Sequence, residues 1–410
     1  MAVSKNDTRV TQSGVVIRND AGLGGMLGFT QYSGLVYAIA QDDAQGVLNW
    51  LDRKQEHPSA QIYISTLGMG WSIPQLKPVY PIPQLLPDTR SWSVVPSPDK
   101  PILVNWFITG RCPLACKYCY AEDLMRKEDL EPTAAQISET AETILSLSPV
   151  VVVLTGGDPL FSPHIATAMR SLTGRVGIIV DTSGYTMRDH HMRLFAEHGV
   201  SIRISIDSQV PRINDAQRPV SSLYPKLVSR GHALDAAMEA LCRCLDAGLN
   251  VTVQTVATKR TANDLVPLGD TLFRLGVHSW RIFKVAPSQA SLSGYQRLVG
   301  THTDDGRAYK GKRAKGPYEH AFAQVLLARA AQWKNQLAIQ VTYNESPNSV
   351  VLVSPDGRFV TESNTGKGKV LLDNLHPKLP RLSAVRSVVD MSGHAARYLN
   401  LTTPFERANS

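Results

Sequence analysis

Three of the chain's five cysteines fall within eight residues. They are Cys112, Cys116 and Cys119, spaced C-x3-C-x2-C in the stretch NWFITGRCPLACKYCY between Asn105 and Tyr120. Thiolates are soft donors that suit zinc or iron–sulfur clusters. A structural zinc site closes with four ligands, and no fourth Cys or His lies close by in the sequence. Three thiolates on one loop can instead hold three irons of a [4Fe–4S] cluster. The fourth iron then stays open to bind a ligand and do chemistry.

The elements that must position this loop show in a repeated switch of period between 101 and 290. Strands are predicted at 102–109, 150–154, 177–180, 201–206, 250–256 and 279–285. Helices are predicted at 133–147, 163–172, 186–198, 232–247 and 263–275, the last two stopping at Gly248 and Gly276, as a C-terminal glycine should. The run VVVVL at 150–154 is apolar throughout, as expected of a strand buried on both faces. Six strands joined by helices make a parallel α/β architecture, either doubly wound or a partial barrel. In both, ligands bind at the C-terminal ends of the strands. The chemistry-bearing residues sit there: the cysteine loop after the first strand, Gly156-Gly157-Asp158 after the second and Ser183 after the third. Ser205 and Asp207 end the fourth strand, Gln254 lies near the end of the fifth, and Val285 ends the sixth.

A C-x3-C-x2-C loop after strand one and TGGDP after strand two, in a six-unit β/α frame, resemble the radical S-adenosylmethionine (SAM) superfamily. The resemblance covers roughly 102–287. Members commonly carry GGE where this chain has Gly156-Gly157-Asp158; Asp keeps the carboxylate and shortens its reach by one carbon. The resemblance implies a partial (β/α)6 TIM-like barrel with one [4Fe–4S] cluster on Cys112, Cys116 and Cys119. It further implies SAM chelated by the open iron, and reductive cleavage of SAM to a 5′-deoxyadenosyl radical that abstracts hydrogen from substrate. The electron would come from a low-potential donor of the flavodoxin or ferredoxin type.

The same resemblance assigns SAM contacts. Tyr118 matches the aromatic that lies against adenine. The carbonyls of Gly156 and Gly157, with Asp158, meet the methionyl ammonium. Ser183 stands where relatives often have Asn. Ser205 and Asp207 are two apart on one strand, so they face the same way and can reach ribose hydroxyls. Gln254 can reach the SAM carboxylate or ribose, and Val285 presents its backbone to adenine. Cys242 and Cys244 differ by about 200° around a helix, so they read as small buried apolar residues and not as ligands. The 23-residue segment 209–231 reads as a lid, a substrate holder or a solvated loop.

The flanks suggest an α/β chain of four parts. Residues 1–73 read as a small α+β domain with short strands near 15–17, 28–30 and 34–39 and a helix at 42–53. It loosely resembles a winged-helix-like peptide-recognition domain, and reads equally as a cap on the barrel. Residues 74–100 hold many prolines and read as an extended linker. Residues 101–290 are the core. Residues 291–410 suggest an α+β extension with a helix at 318–334 and strands at 338–343, 349–353, 359–361 and 369–375. This extension resembles a twitch or SPASM module, but has no cysteine for an auxiliary cluster.

Composition bounds the rest. The 43% hydrophobic and 19% charged content is that of a globular protein. The polar start MAVSKNDTRVTQSG offers no apolar signal segment, no apolar run is long enough for a bilayer, and free thiols suit a reducing, cytoplasmic location. Of the net charge of +8, +7 lies after residue 290. This is either a solvated basic surface or a face for an acidic or phosphorylated partner. Aromatics at 7%, not interleaved with the basic residues, argue against a nucleic-acid platform. Three readings follow. One is a radical SAM enzyme acting on a peptide in natural-product maturation. A second is a radical SAM enzyme acting on a small molecule such as a nucleotide, cyclase- or viperin-like. The third is a non-enzymatic iron–sulfur or zinc binding or sensing module.

Overall fold

The computed structural model describes residues 8–10, 16–23, 25–30, 34–40, 97–119, 121, 124, 131–228, 231–284, 321, 324–325, 327–328, 332–333, 337–342, 347–363 and 369–399. Four short strands come first: β1 (Thr8–Val10), β2 (Val16–Asp20), β3 (Gly25–Thr30) and β4 (Leu35–Ala40). Each pairs antiparallel with the next. The helix predicted at 42–53 and most of the proline-rich linker lie outside the described residues.

Six strands then run parallel in chain order: β5 (Leu103–Phe107), β6 (Val151–Thr155), β7 (Gly177–Thr182), β8 (Ser201–Ser205), β9 (Val251–Ala257) and β10 (Ser279–Lys284). The crossovers carry α1 (Ala134–Ser146), α2 (Ile165–Leu172), α3 (Asp189–His198), α4 (Pro211–Gln217), α5 (Pro225–Val228), α6 (Ala233–Asp246) and α7 (Leu265–Arg274). Local chemistry sets their ends. Thr133 accepts from Gln136 N at 3.3 Å while the Gln136 side chain accepts from Thr133 N at 2.9 Å, a reciprocal cap that starts α1. Gly199 stops α3 with φ at +60°, where a side chain would be strained. On α6, Cys244 is buried and Cys242 half-buried, facing apart as their spacing requires.

One main apolar core joins the outward faces of the six strands to α1, α2, α3, α6 and α7. A second joins the N-terminal sheet to the lower part of the barrel. Val16, Leu27, Phe29 and Val36 pack on Ile102, Leu103, Val151, Val153 and Ile179, near the N-terminal ends of their strands. A Cβ on Gly177 would stand 2.2 Å from the Phe29 ring, so the first residue of β7 must be small. Arg18, fully buried and paired with Asp20 at 2.7 Å, donates to the carbonyls of Pro101 at 2.6 Å and Ser148 at 2.7 Å. The described strands thus cover the barrel mouth opposite the strand C-termini.

The C-terminal segment extends both edges of the parallel sheet. β11 (Ala338–Thr342) adds parallel to β10, and β12 (Leu352–Val353) adds parallel to β5. β13 (Phe359–Glu362) and β14 (Lys369–Leu371) continue antiparallel beyond β12, giving ten strands. Trp333 donates to Asp270 on α7 at 2.7 Å and meets Trp280 edge-on. Two helices follow, α8 (Leu382–Val388) and α9 (Met391–Leu399). From α9, buried His394 accepts from Ile102 N at 2.9 Å and donates to the Ser349 carbonyl at 2.8 Å. Inward-facing side chains of β5 and of β7 to β10 meet those of β12, β13 and α9 around one cavity, so the sheet curves as a partial barrel. Among the described residues no helix is long and apolar enough to cross a membrane.

Candidate active site

The cysteine loop leaves β5 and is gripped from two sides. On one side lies the turn after β6. Gly157 N donates to Thr109 O and Asp158 N to Arg111 O, both at 2.9 Å. A Cβ on Gly156 would fall 2.5 Å from Thr109 O, and one on Gly157 would fall 2.0 Å from Arg111 O. Gly156 also holds φ at +140°, a region closed to most side chains. The backbone these two glycines admit is that of the cysteine loop.

The other grip is the segment 209–231. It folds as α4 and α5, and its residues between them lie along the loop. Ala115 N donates to Pro219 O at 2.8 Å, Lys117 N to Gln217 O at 3.0 Å and Ser221 N to Pro113 O at 2.8 Å, with an antiparallel bridge between Leu114 and Val220. Residues 217–221 are therefore no solvated loop: backbone groups of Gln217, Pro219 and Ser221 are spent on the cysteine loop. Pro211, at the first turn of α4, was the available signal for a helix start there.

Cys112, Cys116 and Cys119 are half-buried and in no disulfide, and all three line a cavity of about 720 Å³. Burial pushes the Cys112 thiol well above its ordinary value, and the charge of Asp158 adds to this. Burial also raises Cys116, opposed by the charge of Arg218. Among the described residues no three His, Cys, Asp or Glu side chains converge on a point suited to a single metal ion. A cluster asks for something else, three thiolates each bonded to a different iron. Three soft donors on one wall of a cavity meet that demand.

Asp158 lies behind the cavity wall. Its buried carboxylate accepts from Leu160 N at 3.1 Å, Thr182 Oγ1 at 2.8 Å, Ser183 N at 2.9 Å and Ser183 Oγ at 2.5 Å. Burial raises its pKa, and the Ser183 hydrogen bonds work against that rise. Asp158 thus ties the end of β6 to the end of β7. Gly156, Gly157, Thr182 and Ser183 face the cavity in front of it.

Tyr118 lines the cavity 6% exposed. Its hydroxyl donates to Asp207 in a short hydrogen bond and accepts from Arg218 Nη1 at 2.8 Å. Asp207, fully buried, also accepts from Val256 N at 2.9 Å, and its own N–H donates to Asn214 at 3.0 Å. Burial raises the Asp207 pKa while Arg218 pulls it down. Ser205 and Gln254 line the same cavity. Gln254 donates to Asp181 at 3.2 Å, and Arg203 approaches the same carboxylate oxygen at 3.5 Å. Val285 lies outside the described residues. Arg218 is the functional candidate that sequence reasoning did not single out, being one of several polar residues in a long segment. Arg111 is another, its guanidinium 4.9 Å from the centre of the Phe161 ring.

Residues 106–272 match the model of the Radical SAM superfamily. This central domain is a radical SAM domain. The chain is 24% identical over 188 residues to an AdoMet-dependent heme synthase of Nitratidesulfovibrio vulgaris, covering 45% of this chain and 48% of that protein. It is 25% identical over 221 residues to the mycofactocin maturase MftC of Mycobacterium tuberculosis, covering 53% of each. The chain spans about half the length of these curated relatives. The fold resembles that of Streptococcus suis SuiB, solved bound to the precursor peptide SuiA, with a TM-score of 0.55 at 10% identity over 86% of this chain and 82% of that one.

Proposed function

We propose that the protein is a radical SAM enzyme whose Cys112, Cys116 and Cys119 hold one [4Fe–4S] cluster, with SAM bound beside it in the same cavity. The observation that carries this reading is the wall of three cysteine thiols on a 720 Å³ cavity, in a domain of that superfamily. When bound, the reduced cluster and SAM together supply a 5′-deoxyadenosyl radical that takes hydrogen from a substrate carbon. The organic chemistry belongs to the cofactors, and the protein contributes binding, orientation and exclusion of water.

The chain's own residues divide that work. Gly156 and Gly157 on one side, and residues 217–221 on the other, fix the cysteine backbone so that the three thiols face one volume. Thr182 and Ser183, held by Asp158, set the wall next to them. Arg218 offers a buried cation beside Cys116, placed to meet a carboxylate chelated near the cysteines. Ser205, Asp207 and Gln254 present polar groups for the ribose, and Tyr118 an aromatic wall for adenine. The roles of Val285, of an electron donor of flavodoxin or ferredoxin type and of a metal-free twitch-like extension rest on the family resemblance.

The substrate we favour is a peptide, in natural-product maturation; the maturase among the relatives supports it. A small-molecule substrate is the second reading, favoured by the heme synthase. The test is anoxic reconstitution with iron and sulfide, then SAM and dithionite. The expected result is a brown protein that forms 5′-deoxyadenosine, with colour and product both lost in Cys112→Ala. A fully reconstituted protein that leaves SAM intact, with peptide and small-molecule candidates added, would overturn the proposal.

A further inference from the structure

Inside the barrel lies a cation that no acid among the described residues pairs with. Arg281, on β10, is 6% exposed and lines the cavity. Its Nε has no hydrogen-bond partner, and its guanidinium lies 5.0 Å from the centre of the Phe283 ring. Among the described residues no carboxylate comes within ion-pair distance of it. The acid whose charge acts on it, Asp181, is already engaged by Gln254 at 3.2 Å and Arg203 at 3.5 Å. Burial, and then the like charge of Arg203, pull the Arg281 pKa down to about 9. An unpaired buried charge is costly, and strongly perturbed groups in clefts gather at functional sites.

The charge count says what would relieve it. Arg203, Arg281 and Asp181 all line the cavity, and Arg203 and Asp181 approach each other at 3.5 Å. The balance of these three is one positive charge. One carboxylate neutralises it, whereas a triphosphate brings several negative charges with too few partners. Guanidinium groups pair with carboxylates through two parallel hydrogen bonds, and the Arg281 Nε has no partner among the described residues.

We propose that Arg281, with Arg203 beside it, is the subsite for a single carboxylate of the substrate. This rests on the cavity being the SAM-dependent site described above. The carboxylate of SAM would belong elsewhere, at the wall of Cys112, Cys116 and Cys119 that would hold the cluster. Arg218 is among the charges acting most strongly on Cys116, whereas Arg203 and Arg281 are among those acting most strongly on neither Cys116 nor Cys112. On β8, Arg203 lies two residues deeper in the barrel than Ser205.

The test uses the full chain, reconstituted and saturated with SAM. The probes are acetate, N-acetylalanine and inorganic phosphate, with N-acetylalaninamide as the uncharged control. Binding is read by calorimetry and by the shift in melting temperature. Both carboxylates should bind saturably, phosphate more weakly and the amide not at all. Arg281→Met should weaken carboxylate binding at least tenfold, and Arg281→Lys should do so less. N-acetylalanine binding much tighter than acetate identifies a peptide end as the source of the carboxylate; equal binding identifies a small acid. Phosphate binding tighter than either carboxylate, displacement of the probe by SAM, or unchanged binding in Arg281→Met overturns the subsite. Melting without any oxyanion supplies a second measurement. Arg281→Met should melt no lower than wild type, because it removes an unpaired buried cation, whereas a clear drop or failure to fold would assign Arg281 a structural role and overturn the proposal. Wild-type protein that cleaves SAM yet ignores every carboxylate rejects the subsite alone. One that binds carboxylates but never cleaves SAM keeps the subsite and rejects the enzymatic reading.

Discussion

Arg218 reaches back across a hundred residues of chain to donate to the Tyr118 hydroxyl at 2.8 Å. The same hydroxyl donates to buried Asp207, so a cation, a phenol and a carboxylate form one chain behind the cysteines. Residues 217–221 pair with the cysteine loop just where Arg218 turns inward. The side chain therefore locks the position that the backbone sets.

Removing that cation should be expensive. Arg218→Ala leaves Asp207 buried with only neutral donors and takes the charged donor from the Tyr118 hydroxyl, and a hydrogen bond to a charged group is worth about 1.5–3 kcal/mol. Urea unfolding of the cluster-free protein measures it. Adding Asp207→Asn to Arg218→Ala should recover part of the loss, because the stranded charge is gone. A cost within about 0.5 kcal/mol, the range of an ordinary surface change, would show the chain of contacts to be dispensable.

Gly157→Ala tests the grip on the loop from the other side. Its Cβ would stand 2.0 Å from Arg111 O and 2.8 Å from Cys112 N, and both are backbone atoms that yield only if the loop moves. We expect less than half the wild-type iron after identical reconstitution, together with a lower melting temperature. Gly174→Ala is the control: a Cβ there meets nothing within 4 Å, so only its positive φ is strained, and iron loading should stay at the wild-type level.

The six-strand frame was legible because each strand is a short apolar run and each helix carries one apolar face. Residues 150–154 and Ile137, Ala141, Ile144 and Leu145 on α1 are examples, and all are buried. The cysteines, the glycine pair and the polar strand ends were legible because their residue types and order are unusual. Contacts between distant segments were not. The strands near 338–343 and 349–353 could be read, but not that they add to opposite edges of the parallel sheet. Residues 217–221 looked like a loop because the partner of their backbone is a hundred residues earlier. Arg281 looked like any other strand residue, since only the closed fold shows that no acid among the described residues pairs with it.

Asp158→Ala separates two jobs for one carboxylate. As a contact to a bound ammonium alone, its loss would weaken SAM binding and leave the folded protein as stable as before. The structure has it accepting from Leu160 N, Thr182 Oγ1, Ser183 N and Ser183 Oγ. The variant strands buried donors, at about 1–3 kcal/mol for each left unpaired. The cluster-free protein should therefore lose at least about 2 kcal/mol by urea unfolding, and Asp158→Asn, which keeps an acceptor oxygen, should lose less. Unchanged stability in Asp158→Ala would return the residue to a purely ligand-binding role.

His394 should make the fold sensitive to acid. Its ring is buried between Ile102 N, to which it presents Nε2 as an acceptor, and the Ser349 carbonyl. Burial lowers its pKa from 6.5 to about 3, with Arg397 and Arg18 pushing the same way and Asp390 opposing. Between those values the unfolded chain holds a proton on this ring that the folded chain does not. Stability therefore falls as the pH drops from about 6.5 towards 3, and is fully present above 6.5. At pH 5 the loss from this one group is about 2 kcal/mol relative to neutral pH. His394→Gln, with an amide in place of the ring, should be less stable at pH 7.5 but should lose about 2 kcal/mol less than wild type between pH 7.5 and pH 5. Carboxylates elsewhere titrate equally in both proteins, so the difference between the two slopes isolates the histidine, and parallel slopes would show that His394 is not what makes the fold acid-sensitive.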